Sequence, residues 1–195
     1  MKKLFVTMIA LAVAATAFAQ LPKGLAVGAG YLSNDGKTKM GDVTHTETIG
    51  GFYVNADYNI ALGEALGVAP GVAIDYLSKT KNDVKTTLIN LDIPVMINYA
   101  IPVADIIKIV PFAGPTVQFG ISGKAKAGDN TLDLYGDNQD NSRLQIYVGG
   151  GVAVEIAEIL RAHVGYDLGL LNRYTGDGDI TVKNNGLHFG VSYLF

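Results

Sequence analysis

Residues 160–170, Leu160-Arg161-Ala162-His163-Val164-Gly165-Tyr166-Asp167-Leu168-Gly169-Leu170, alternate between apolar and polar or small side chains without a break. A period of two is the mark of a β-strand whose faces meet different surroundings. Leu160, Ala162, Val164, Tyr166, Leu168 and Leu170 share one face, and Arg161, His163, Gly165, Asp167 and Gly169 the other. Residues 187–195 repeat the scheme, with Leu187, Phe189, Val191, Tyr193 and Phe195 against His188, Gly190, Ser192 and Leu194. So do residues 87–99 and 144–156, and weaker versions occur at about 24–33, 48–60, 67–79 and 107–122. The chain therefore holds eight alternating segments.

Their connections alternate in length. Residues 34–47, 80–86, 123–142 and 171–185 read as polar loops rich in Gly, Asn, Asp and Lys, whereas 61–66, 101–106 and 157–159 read as short turns. An even number of strands joined alternately by short turns and long loops is the pattern of an outer-membrane barrel. Composition narrows the choice. With 49% hydrophobic and 17% charged residues, disorder is excluded; with no cysteine, so is a disulfide scaffold; and a net charge of −3 argues against nucleic acid as a partner.

Alternation also fits a soluble calyx with its apolar face inward. The outer face would then be Gly, Asn, Ser and Ala with few charges, a poor solvent surface. With the apolar set facing lipid, Tyr31, Phe52, Tyr76 and Phe119 fall near the long-loop end, and Tyr58, Tyr99, Tyr193 and Phe195 near the short-turn end. Two aromatic girdles around an aliphatic belt suit a bilayer. Closure is then required, because hydrocarbon tolerates no unpaired sheet edge. Pro70, Pro94, Pro111 and Pro115 each remove a ladder donor, so bulges or breaks are expected there.

Met1-Lys2-Lys3, the apolar run from Leu4 and the Ala17-Phe18-Ala19 site form a leader, residues 1–19, cleaved before Gln20. The barrel domain then occupies residues 20–195: an all-β, eight-stranded, antiparallel, up-and-down transmembrane barrel with both termini in the periplasm.

The ending Val191-Ser192-Tyr193-Leu194-Phe195 resembles the signal read by the bacterial barrel-assembly machinery, with Val191, Tyr193 and Phe195 as its alternate residues. Leu91-Asp92-Ile93-Pro94-Val95 and Pro111-Phe112-Ala113-Gly114-Pro115 are similar to segments of the small PorT-type barrels of Bacteroidetes outer membranes, of OmpX/OmpA-type eight-stranded architecture. The resemblance implies that fold and an outer-membrane address. It also brings in protein secretion, to which the member that names the family is tied. No functional residue is carried over by it.

Eight strands leave an interior just wide enough for side chains to fill. The expected inward charged set is Asp57, Asp75, Asp92, Lys108, Arg143, Glu155, Arg161, His163, Asp167 and His188. Mixed signs suit a plug of ion pairs better than a selectivity ring, and Glu155 and Arg161 flank a turn, so a cross-strand pair is expected. Inward glycines (Gly28, Gly30, Gly149, Gly151, Gly165 and Gly190 among them) leave space for a narrow conduit. If Asp167 lies opposite His188 and His163 opposite Ser192, the ingredients of nucleophilic catalysis meet, though no nucleophile elbow accompanies them. Asp129, Asp133, Asp137 and Asp140 offer oxygens to Ca²⁺ but lack EF-hand spacing, so neither metal nor cofactor is expected. Lys37, Lys39, Lys79, Lys81, Lys85, Lys124 and Lys126 would meet the phosphates of outer-membrane lipid and lipopolysaccharide, and His45 has no evident partner. The expectation is a monomeric, non-enzymatic barrel with a structural or surface-interaction role whose loops meet an unidentified external partner. A narrow channel or secretion accessory comes second and a lipid-modifying enzyme third.

Overall fold

The computed structural model describes residues 23–135, 141–176 and 180–195. The expected leader, residues 1–19, lies outside the described residues. The strands are β1 (Leu25–Met40), β2 (Val43–Tyr58), β3 (Ile60–Ala61), β4 (Leu66–Lys81), β5 (Val84–Tyr99), β6 (Ile101–Ala104), β7 (Ile107–Ala127), β8 (Asn130–Asp133), β9 (Leu144–Ile156), β10 (Leu160–Gly169) and β11 (Ile180–Leu194). Three of these are annexes: β3 and β6 continue β2 and β5 across one residue, and β8 folds back on β7. The other eight pair antiparallel in a closed ring, β1–β2–β4–β5–β7–β9–β10–β11–β1.

Alternation along each strand sorts the side chains. In β10, Val164, Tyr166 and Leu168 are exposed, while Arg161, His163 and Asp167 turn inward and are partly covered. Tyr31 stands beside Phe52 in register on one side and Phe189 on the other, with ring centroids 5.7 and 5.6 Å apart. Exposed Tyr76 continues this row beyond Phe52. At the short-turn end, Tyr58, Tyr99 and Tyr193 are exposed, and Tyr193 packs edge-on against Phe195 at 4.7 Å.

The long connections differ from the sequence reading. Strand pairing runs through most of 34–47 and 80–86, so that Met40 pairs with Val43 and Lys81 with Val84 around turns at Gly41–Asp42 and Asn82–Asp83. These segments look like loops by polarity, but their Thr and Val residues suit extended backbone. Their turn residues take positive φ, as two-residue hairpins require: 56° at Gly41, 51° at Asn82 and 60° at Asp83. The result is a set of ribbons rising beyond the aromatic row. Above the Gly50–Ser78 pair, β2 and β4 part, and Lys81 Nζ donates to Glu47 Oε1 across the gap. That hydrogen bond holds the Glu47 carboxyl below the usual carboxylate range. The clip is therefore complete above that range and is lost as pH falls below it. His45 Nε2 lies 3.7 Å from the same carboxylate, which supplies the neighbour that the sequence left unnamed.

Prolines interrupt the ladder at two places. The β4–β5 register omits Gly71–Pro94 and its neighbour, and the β5–β7 register omits Val95–Pro115 and its neighbour. Pro111 passes within a continuous β7–β9 ladder, and the one register shift in β5–β7 falls at Ile89/Asn90, away from any proline.

The β9–β10 turn is strained. Ala157 and Glu158 hold φ of 53° and 58°, a conformation that costs ordinary residues roughly 1–2 kcal/mol each. Ala157→Asn should relieve part of this, raising stability by about 0.5–1 kcal/mol. Urea unfolding of the refolded barrel in detergent checks it; a midpoint at or below the parent's would refute the turn assignment.

Candidate functional site

The interior is built in layers. Near the short-turn end, Arg161 on β10 donates from Nε to Glu155 Oε1 at 2.9 Å, its directly opposed neighbour on β9. Its Nη1 reaches Asp57 Oδ1 at 3.0 Å on β2, with β11 and β1 between them around the ring. Asn55 Nδ2 supports the second Asp57 oxygen at 3.1 Å. Arg161 and both carboxylates are only 13–16% exposed.

Above this triad, Tyr53 Oη and His163 Nε2 are 2.6 Å apart, a second bond across the lumen from β2 to β10. His188 lies beside His163, with ring centroids 5.8 Å apart, and Phe112 flanks both. His188 Nε2 is 3.5 Å from Asp167 Oδ2, an ion pair only when the imidazole is protonated. Asp75 on β4 is buried and in contact with Asp92 on β5, which Gln118 supports. Tyr147 Oη donates to Gln118 Oε1 at 3.2 Å. These groups surround an internal cavity of about 190 Å³, whose other wall includes Met96, Val110 and Phe112.

An apolar layer follows, made by Leu32, Tyr53, Leu77 and Leu88, with Ile49 and Leu134 packed on it. Tyr135 then covers part of the mouth, with the Arg143 guanidinium 5.0 Å and the Arg173 guanidinium 5.6 Å from its ring.

Of the charged residues expected inside, Asp57, Asp75, Asp92, Glu155, Arg161, His163, Asp167 and His188 occupy the triad layer and the layer directly above it. Two do not. Arg143 precedes β9 at the ribbon end, where it is exposed and donates to the carbonyls of Gly120, Ile121 and Tyr135; the backbone bulge there offers acceptors that the lumen does not. Lys108 sits at the opposite rim and pairs with Glu158 in the turn at 2.7 Å, because its long stem reaches past the last interior layer to water.

The expected catalytic register is also displaced. Asp167 lies opposite Gly186, Gly165 opposite His188, His163 opposite Gly190 and Arg161 opposite Ser192, a shift of two residues. Asp167 and His188 meet only diagonally, and the seryl oxygen is not placed on His163. The glycine space is largely taken as well: a Cβ on Gly190 would stand 2.4 Å from Tyr53 Oη, and one on Gly149 would stand 1.8 Å from Asp167 Oδ1. Among the described residues no three His, Cys, Asp or Glu side chains converge as metal ligands. Asp137 and Asp140 lie outside the described residues, and Asp133 Oδ1 accepts from the Tyr135 amide at 2.9 Å.

Sequence reasoning missed Tyr53, Leu77, Leu88 and Tyr135. The first three were readable from strand parity, since Tyr53, for example, shares a face with Gly51, Asn55 and Asp57. Tyr135 follows the last paired residue of β8 and carried no periodic signal.

A closed ring with a lipid-suited exterior, two aromatic girdles and an interior crossed by side chains defines a small outer-membrane barrel. The model of the outer membrane protein beta-barrel domain matches residues 4–195, and the chain belongs to that family. Among solved structures it is similar to Ail, the attachment invasion locus protein of Yersinia pestis, at 12% identity and a TM-score of 0.52, covering 89% of this chain and 100% of that one. Neisserial surface protein A matches at 15% identity and a TM-score of 0.54, covering 88% and 97%. At these identities the likeness is one of fold. No curated protein sequence matches. The protein is located in the outer membrane.

Removing Arg161 would leave Asp57 and Glu155 facing each other with little water. Arg161→Ala should cost about 3 kcal/mol, read as a lowered unfolding midpoint in detergent. Adding Asp57→Asn and Glu155→Gln should recover much of the loss. A triple variant no better than the single one would show that Arg161 acts by packing alone.

Proposed function

We propose that the protein is a monomeric, non-enzymatic, PorT-type surface barrel whose ribbons stand outside the cell and meet an external partner, while its interior holds the barrel shut. One observation carries the reading. Paired strands continue past the aromatic row as ribbons, whereas the lumen behind them is crossed by the Arg161 triad and again by the Leu32–Leu77–Leu88 layer. Structure invested beyond the membrane with a closed passage beneath it suits contact better than conduction.

Orientation follows from barrels of this type, with short turns in the periplasm and long connections outside. The carboxy-terminal Val191, Tyr193 and Phe195 suit recognition by the barrel-assembly machinery. On the outward face of the ribbons, Lys37 lies directly opposite Lys183 and Lys85 opposite Lys126. Like charges so placed repel unless an anion lies between them, which suits lipopolysaccharide phosphates. A narrow conduit is the second reading, favoured by the cavity of about 190 Å³ between the two closures.

Planar-bilayer recording separates the two. The refolded barrel, verified by heat-dependent gel mobility, should be electrically silent. Reproducible unitary steps from the parent protein would make transport the leading function.

A further inference from the structure

Above the apolar layer, the inner faces of the ribbons enclose a second recess of about 160 Å³. Lys79 of β4, Asn184 of β11 and Arg173, from the segment between β10 and β11, line it. We propose that this recess binds an acidic sugar: one ring that carries a carboxylate or phosphate group. The proposal rests on reading the ribbons as the part of the molecule that meets external partners.

Three donors converge here with donor capacity to spare. Arg173 is held in place: its Nη2 donates to Tyr135 Oη at 2.6 Å, and its backbone bonds to Val182 and Ser142 at 2.8 Å. No carboxylate among the described residues pairs with it or with Lys79. Glu47, the one acidic residue among the described lining, is engaged by Lys81. Asn184 is only 4% exposed, yet its Nδ2 makes no hydrogen bond within 3.5 Å, with the Tyr147 hydroxyl standing beside it at longer range. Lysine, arginine and an amide nitrogen can only donate, so the group that completes them must be rich in acceptors. Lys79 and Arg173 bring two positive charges to a lining whose one carboxylate, Glu47, is already bonded to Lys81; that excess makes the group an anion, and a guanidinium fork matches the paired oxygens of carboxylate and phosphate.

The rest of the wall selects what bears the anion. Thr86, Asn34 and Asn90 each offer both donors and acceptors, as hydroxyls need, while Ile49 and Leu88 give a small apolar floor of the kind that packs under the C–H face of a ring. The volume lies well below the roughly 300–1,000 Å³ of drug-sized sites, which limits the occupant to about one ring. Gly36 lies between Asn184 and Glu47 in the strand register, and a Cβ there would stand 3.4 Å from Asn184 Oδ1. The missing side chain keeps the recess open.

The test is calorimetric titration of the purified barrel in detergent with D-glucuronate, D-glucose 6-phosphate, D-glucose and inorganic phosphate. At least one acidic sugar should bind, about tenfold or more tighter than glucose or phosphate alone, and the pair of acidic probes tells carboxylate from phosphate. Lys79→Gln and Arg173→Gln should each weaken that binding about tenfold, and Gly36→Leu should abolish it by filling the recess. Lys108→Gln, at the opposite rim of the barrel, should leave it unchanged. Heat-dependent mobility verifies that each variant is folded, and Lys79→Gln spares the Tyr135 contact that Arg173→Gln disturbs. Parental affinity in the Lys79, Arg173 and Gly36 variants, equal binding of glucose or phosphate, or no binding of either acidic sugar would overturn the site. Recording conductance on the same preparation keeps the two readings apart. An open channel that still binds the sugar refutes the closed barrel and leaves the site standing, whereas a silent barrel indifferent to acidic sugars refutes only the site.

Discussion

Every feature of this molecule depends on the backbone's need for hydrogen-bond partners where no water can supply them. In hydrocarbon an unpaired N–H or C=O costs several kcal/mol, so a sheet of this composition must close on itself. Closure at eight strands fixes the diameter, and the diameter fixes what the interior can be. It is too narrow for a wide aqueous pore and too wide to be filled by small residues alone. Long side chains must reach across, and they meet strands that are not their neighbours. Arg161 to Asp57 and Tyr53 to His163 are both bonds of this kind.

The interior therefore resembles a small protein core turned polar. Its side chains sit in chemically distinct layers: a carboxylate–guanidinium triad, then imidazoles with aromatic rings, then aliphatic side chains. The interior glycines serve this arrangement by proximity rather than by emptiness. At Gly190 the space beside the backbone is occupied by the Tyr53 hydroxyl, and at Gly149 by an Asp167 oxygen. Small residues on one strand make room for large residues from another. A tally of inward glycines therefore overstates the free volume of the lumen.

The alternation in residues 160–170 and 187–195 was sufficient to read strand, face and closure, because a lipid exterior punishes any lapse in the pattern. Where lipid ends, the pattern loses its meaning. Residues 34–47 and 80–86 look like loops by polarity, yet they form ladders, since beyond the membrane both faces of a strand can be polar. Leu77 and Leu88 extend the plug with apolar side chains that the charged set did not include, because a plug can be built from either chemistry. Register was not legible: a shift of two residues along β10 and β11 preserves every face assignment while separating the proposed catalytic neighbours. Arg143 shows a further limit. Its parity is that of an inward residue, but parity holds only within a strand, and it lies just before one.

The bond between Arg161 and Asp57 has a kinetic meaning. Its partners are far apart along the chain and sit on staves separated by two others, so it forms only once the first and last strands have met. An interaction absent until that moment does little to accelerate closure and acts mainly against reopening. Adjacent-strand hydrogen bonds draw the sheet together stepwise, whereas this chord engages last and lengthens the lifetime of the finished ring. A protein held in this way can be slow to leave the outer membrane even if its net stability is ordinary.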